Sequence, residues 1–410
     1  MRRSARVFRD TTVLTLLLLL FLIPGYADLW VPQNIGFSSY MDGGLSLAID
    51  SLDRPGLTFA GSSGGLRYAT FGSSGWSSST VVSGTYMGRG SDLTYDGTTP
   101  HIAYRHSPNY QEHYLGYATY DGSTWQTNVF SDVDPSNPRH FAVDVDSGGN
   151  PGIAYYDNHA YPPADDRVYY RYFDGSAWSG RETVAGDVRN VSNIGGVALG
   201  YGADDTPYVG FLTDDLINRP PTLAVRDAGG TWSSDIGLGG SAAKEFGLYV
   251  SLAFDAVGHP HLAWVNNNPG TGLGQANYSW YDGSDWHKET AIDATYYTSW
   301  EDRRYMDMAI DSWGYSHIVF YDPSGRNVLY TVGRPGDFWE APRVLAGSLE
   351  SHAFWVNVAI DSDNAPHFAY HSGGCTWYGK GDPVPEPGSI ILLASGLGAL
   401  ALYRRRRSAD

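Results

Sequence analysis

Arginines, aromatics and carboxylates recur in this chain at equivalent points of successive sequence units, and they suggest recognition of a polyhydroxylated ligand or of a cation. Arg89, Arg139, His140, Tyr249, Arg304, Tyr305 and Trp355 open one class of apolar segment; Ser46, Asp92, Ser251, Asp307 and Asn357 lie one step further in, with Asp144 two positions deeper. If those segments converge, Asp92, Asp144 and Asp307 could hold a hard cation such as calcium, which takes several oxygen ligands. Small or polar side chains are equally expected there on packing grounds alone. A second set stands in segments that differ from unit to unit: Tyr110, His113, His159, Tyr161, Asp165, Asp166, Tyr296, Tyr297, Trp300, Glu301, Asp302 and Arg303. Exposed rings stack on the apolar faces of pyranoses while carboxylates and amides fix the hydroxyls, so this set points to a glycan. The other reading is that the same rings pack the loops onto the scaffold.

Catalytic signatures are scarce. His101, His261, His317 and His367 occupy one repeated position, which marks them as scaffold, because equivalent histidines on separate units stand too far apart to share a metal. Asp144-x-Asp146-x-Gly148-x-Asn150 has the spacing of a partial calcium loop without a terminal Glu. The glycine clusters Gly237–Gly240 and Gly270–Gly274 precede no helical pattern, so they do not cradle phosphate. No His-Glu-x-x-His, paired-cysteine site or Gly-x-Ser-x-Gly elbow is present.

The elements that must position these residues follow from a repeat. Trp30, Trp76, Trp125, Trp178, Trp232, Trp286 and Trp339 recur every 46 to 54 residues, in most cases behind a Tyr-rich stretch and a tight turn. Each interval holds four short alternating apolar stretches, the content of one four-stranded propeller blade. In the third unit these are Phe141–Asp146, Gly152–Tyr156, Val168–Phe173 and a strand beginning at Trp178. The last unit lacks a fourth stretch before Pro383, whereas Trp30–Ile35 is a fourth stretch without a unit. Pairing the two would join the chain ends and remove exposed sheet edges. The expected fold is therefore all-β: a seven-bladed β-propeller closed by its N-terminal strand. Six or eight blades remain compatible, since the fourth unit is degenerate around Tyr201–Pro207. The first-to-second and third-to-fourth turns repeat nearly unchanged, while the other two loop classes vary and are where function is expected.

The chain of 410 residues carries a net charge of −17; without the basic leader (+3) and basic tail (+2) the body stands at about −22. Such a surface repels phosphate backbones and argues against nucleic acid, while it suits calcium, cationic ligands or solubility. Cys375 is the only cysteine, so no intrachain disulfide forms.

Both ends read as addresses. Arg2, Arg3, Arg6 and Arg9 precede the apolar run Val13–Ile23 and the small residues Gly25 and Ala27, the order of a signal peptide cleaved after Ala27. At the far end Pro385, Glu386 and Pro387 precede an apolar stretch, Gly388–Tyr403, and then Arg404, Arg405, Arg406 and Arg407. This tail resembles that of the PEP-CTERM proteins of Gram-negative bacteria. The resemblance covers about the last 25 residues. It implies signal peptidase and exosortase as processing partners, a hydrophobic C-terminal helix anchored transiently in the inner membrane, and delivery to the cell surface or an exopolysaccharide matrix. The Asp-Gly-Ser-x-Trp turns at Asp121, Asp174 and Asp282 resemble the tail of the sialidase Asp-box, without the full pattern. That likeness extends to the fold; a sialidase would further need three arginines around a carboxylate, for which Arg89, Arg139 and Arg304 are the candidates.

The expected organisation is a signal peptide over 1–27, a propeller over 28–383 and a sorting signal over 384–410. The expected function is non-enzymatic binding of a polysaccharide or surface protein, with Arg89, Arg139, His140, Tyr161, Tyr297, Trp300, Arg304, Tyr305 and Trp355 as contact residues. The alternative is a sialidase-like or lyase-like glycan-active enzyme with its site at the axial mouth. No cofactor is expected beyond the calcium considered for Asp92, Asp144 and Asp307.

Overall fold

The computed structural model describes residues 32–38, 44–131, 137–158, 167–186, 196–212, 221–234, 246–268, 273–297, 306–322 and 325–384. The chain separates into two units, Val31–Lys380 and Met1–Trp30 with Gly381–Asp410. The first is a seven-bladed β-propeller of antiparallel sheets, and every regular element among the described residues is a strand. The leader with Ala27, the sorting residues Pro385–Pro387 and Arg404–Arg407, and the expected C-terminal helix lie outside the described residues.

The blades open with Leu45–Ile49, Ser91–Asp96, Asn137–Val145, Val197–Tyr201, Phe246–Phe254, Met306–Ile310 and Ala353–Ile360. Each of these first strands packs against the first strand of the next blade, and the seventh returns to the first, so the ring closes. Second strands such as Pro55–Ala60 and Ser316–Asp322 are buried along their whole length, since both faces are covered by neighbouring blades. Outer strands such as Gly75–Val82 are mostly exposed or half-exposed. In blade 7 the strands Ala353–Ile360, Pro366–Ser372 and Cys375–Lys380 are completed by Gln33–Ser38, which pairs Gln33 with Tyr378 and Ser38 with Cys375. The closing strand thus sits a few residues beyond the expected Trp30–Ile35.

The recurring Trp works between blades rather than within one. Trp76 meets Tyr378 edge-on at 4.8 Å, Trp125 meets Tyr68 at 5.2 Å, Trp178 meets Tyr117 at 4.8 Å, Trp232 meets Tyr170 at 5.2 Å and Trp339 meets Tyr278 at 5.1 Å. In each case a ring at or just before the fourth strand covers the third-strand Tyr of the preceding blade, in the edge-to-face arrangement that aromatic quadrupoles favour. Blade 4 has Leu223 where the others have that Tyr, and Trp286 instead joins the cluster of Leu223, Tyr208 and Trp264. In blade 3 the fourth-strand ladder is Glu182–Ala185, while Trp178 makes only an isolated bridge to Phe173, so the Trp precedes the strand it was expected to begin. Pro342 splits the fourth strand of blade 6 into Phe338–Trp339 and Arg343–Ala346.

The repeated His residues are held inside blades. Nδ1 shares a hydrogen bond with a third-strand Tyr hydroxyl at 2.6 Å for His101–Tyr117, 2.7 Å for His317–Tyr330 and 2.7 Å for His367–Tyr378, and His261 pairs with Tyr278 in the same way. Desolvation pushes the His261 imidazole down to about 4 and lowers His101 and His367, so these rings stay neutral scaffold.

Candidate functional site

The ring has two chemically different faces. The lower face carries the repeated first-to-second turns, and adjacent turns clasp one another. Ser362 donates its N–H (2.8 Å) and hydroxyl (2.6 Å) to Asp53, joining blade 7 to blade 1. Ser147 donates likewise to Asp205 at 2.7 Å, joining blade 3 to blade 4. These bonds hold both carboxyls below the usual carboxylate range. Asp53 and Asp205 sit at φ 59° and 61°, a left-handed position that Gly fills in other blades.

The upper face carries the variable loops and the mouth of the axis. At the mouth, one residue per blade holds an equivalent place among the described residues: Gly44, Gly90 and Gly196 just before the first strand, and His140, Tyr249 and Trp355 within it. A Cβ on Gly44 would lie 2.7 Å from the Gly90 Cα, so that approach demands glycine. His140, Tyr249 and Trp355 instead hold φ values of 50°, 57° and 55°, each at a bulge in its blade. Bulky side chains in this region carry local strain. Together with Ser91 and Phe141 they line, among the described residues, an axial cavity of about 20 Å³, room for roughly one water.

Below the mouth, the carboxylates serve the ring. Asp92 accepts the Ser46 hydroxyl of blade 1 at 2.9 Å and the Val143 N–H of blade 3 at 3.0 Å; Asp307 accepts the Ser251 hydroxyl at 2.9 Å and the Val358 N–H at 3.1 Å. Asn357 donates to the Leu45 carbonyl at 3.1 Å. Asp144 is set apart, accepting a 3.4 Å bond from Thr94. Its carboxyl is pushed up to about 7, chiefly by burial and further by Asp92. Among the described residues no group of three or more His, Cys, Asp or Glu is disposed to hold a metal ion.

The contact residues expected from sequence are placed as follows. Arg89 lies with its guanidinium 5.5 Å from the Tyr86 ring, and His140 and Trp355 line the axial cavity. Arg139 and Tyr297 belong to strands, paired in register with Tyr156 and Leu273. Tyr161, Trp300, Arg304 and Tyr305 lie outside the described residues, so the structure brings together only His140 and Trp355 of this set.

A larger concavity than the axial one lies elsewhere on the upper face, at the seam between blades 6 and 7. It encloses about 260 Å³ and is lined by Arg326, Glu350, Ser351, His352, Phe354, His371, Ser372, Gly373 and Gly374. The segment joining the two blades is pinned from both sides. Leu349 donates its N–H to the Arg326 carbonyl (3.1 Å), Ser348 its N–H to Asn327 (3.1 Å), Arg326 a guanidinium N–H to the Glu350 carbonyl (3.2 Å), and Ser372 its hydroxyl to the Ser351 carbonyl (3.0 Å). The walls are therefore fixed before any ligand arrives. His352 shares its Nδ1 with the Tyr321 hydroxyl at 2.9 Å and tilts over Phe354 at 6.1 Å. That leaves Nε2 as the ring atom a ligand can meet. His371 lies fully buried behind, its imidazole pushed down to about 3 by desolvation and so neutral. The site offers a guanidinium fork, an imidazole, hydroxyls, a carboxylate and an apolar ring at Phe354. That mixture fixes hydroxyl and acidic groups around one apolar face.

The fold and the seam pocket define a seven-bladed propeller with a preformed polar and aromatic pocket on its variable face. Its residues 383–407 match the PEP-CTERM protein-sorting motif, so the chain carries a signal for export and sorting. No curated protein sequence matches the chain. Among solved structures, a polysaccharide lyase, the PL25 ulvan lyase bound to -[GlcA(1-4)Rha3S]-, is similar at 12% identity and a TM-score of 0.57, over 86% of this chain and 96% of its own. A protein of unknown function from Dyadobacter fermentans is similar at 12% identity and a TM-score of 0.52, over 87% and 99%. AofleA from Arthrobotrys oligospora gives 13% identity and a TM-score of 0.50, over 76% and 89%. At these identities the likeness is one of fold.

Proposed function

We propose that this exported propeller is a carbohydrate-binding protein of the cell surface or extracellular matrix. It holds a glycan in the pocket between blades 6 and 7. The observation that carries the reading is the pocket itself: about 260 Å³, pinned open, and lined by Arg326, Glu350, His352 and Phe354, none of which the ring repeat requires. Pockets that pair an apolar floor with a few fixed polar groups suit pyranoses. A fold of this kind serves a glycan in the similar ulvan lyase, which is compatible with the proposal. Among the described residues the axial cavity measures about 20 Å³, so the seam pocket is the roomier of the two.

The test is a glycan array followed by isothermal titration of the hits. The wild type should retain at least one polysaccharide. Arg326→Ala should weaken binding by about ten- to a hundredfold, the range for hydrogen bonds from a charged donor, and His352→Ala by about tenfold, both without loss of thermal stability. Unchanged affinity in both variants would place the ligand elsewhere.

A further inference from the structure

Resting on that glycan reading, we infer that the upper face carries a second and separate contact for the same polymer, a tyrosine platform at the seam of blades 1 and 2. Tyr110 is 72% exposed, the most exposed large hydrophobic side chain among the described residues. The other exposed rings, Phe71 and Phe338, sit on outer hairpins against Trp76 and Tyr315 and have a packing role there. Tyr110 instead stands on the second-to-third loop of blade 2, on the variable face. It meets Tyr86 of the blade 1 to blade 2 linker edge-on at 5.7 Å, and the Arg89 guanidinium lies over Tyr86 at 5.5 Å.

The loop that presents the ring is braced rather than slack. Asn109 accepts the N–H groups of Gln111 (2.8 Å) and Glu112 (2.9 Å) and donates to the Glu112 carboxylate at 2.7 Å. Ser107 shares a 2.9 Å bond with His113 Nδ1, and its N–H reaches the Met87 sulfur at 3.3 Å, tying the loop to the linker. A flat ring held in water at the centre of amides and a carboxylate presents one apolar face within a polar rim. The ligand chemistry that matches is a pyranose residue, whose axial C–H groups stack while its hydroxyls meet the rim. Two contacts on one face, separated by the 7–1 seam, favour a long chain over a short oligosaccharide, because the second contact forms at high effective concentration once the first is made.

Affinity electrophoresis in gels cast with alginate, xanthan, hyaluronan or dextran tests the inference, with titration of a tetrasaccharide of any retarding polymer alongside. Wild type should be retarded by at least one polymer. Tyr110→Ala should weaken that retardation about tenfold, the range of one aromatic contact, while Tyr110→Phe keeps it. The tetrasaccharide, which fills only the blade 6–7 pocket, should bind Tyr110→Ala within twofold of wild type and bind Arg326→Ala poorly. Equal retardation of Tyr110→Ala and wild type would overturn the platform while leaving the pocket intact. Retardation of wild type by none of the polymers would overturn the glycan reading and the platform together.

Discussion

Carboxylates in this ring titrate in opposite senses, because some are wanted charged and one is enclosed. Asp53 and Asp205 each accept an N–H and a hydroxyl from the Ser of the neighbouring blade, which favours the anion and lowers both above all through these bonds. Their contribution is present above the ordinary carboxylate range and is lost as pH falls through the lowered values. Asp144 is raised to about 7 because desolvation disfavours its anion. Between about pH 4 and 7 the unfolded chain has released that proton while the folded ring still holds it, so stability declines as pH rises across this window. Asp144→Asn removes the decline. Urea unfolding at pH 5 and pH 8 should show the variant gaining on the order of 1–3 kcal/mol at pH 8 relative to its standing at pH 5. An unchanged pH profile would mean that Asp144 ionises freely in the channel.

Blades are joined chiefly by rings, and this is the part of the architecture most legible in the sequence. The Trp spacing marks the entry to the fourth strand and the Tyr-rich stretch before it marks the third, because the same pair meets at five of the seams. Legibility fails where a partner is missing: Leu223 replaces the Tyr of blade 4, and Trp286 packs into the cluster around it instead of onto a Tyr ring. It also fails at strand starts, since Trp178 was read as a strand residue although its work is to cover Tyr117 and Phe130 at 4.8 and 5.1 Å. Trp178→Ala should therefore loosen the seam of blades 2 and 3, at a cost of about 2–4 kcal/mol for a half-buried ring, read from the urea midpoint. A cost below about 1 kcal/mol would show that the seam is held by strand packing alone.

Closure and polarity are properties of the whole ring. The N-terminal strand was expected because a fourth stretch stood at the front and one was missing at the end, an argument from edges that needs no side-chain detail. The seam pocket was not legible, and the reason is physical. Long loops attracted attention, whereas the concavity forms where loops are short: Arg326 follows a hairpin turn, Gly373 and Gly374 form another, and Glu350–His352 lie in a linker. Bulk that is missing between two blades leaves no mark in either blade's own sequence; the faint sign is unit six's linker, whose Glu350, Ser351 and His352 serve no strand. At the axis, too, the sequence left something unsaid: His140, Tyr249 and Trp355 stand at bulges with positive φ, which the repeat pattern does not announce.

Hydrogen–deuterium exchange of the intact propeller, with and without the polysaccharide retained on the array, tests the central claim most directly. Ligand should slow exchange at the amides of residues 348–354 and 371–375, on the two walls of the blade 6–7 pocket. Slowing confined to Phe141, Tyr249 and Val250 at the axial mouth, or to the lower-face turns, would contradict it.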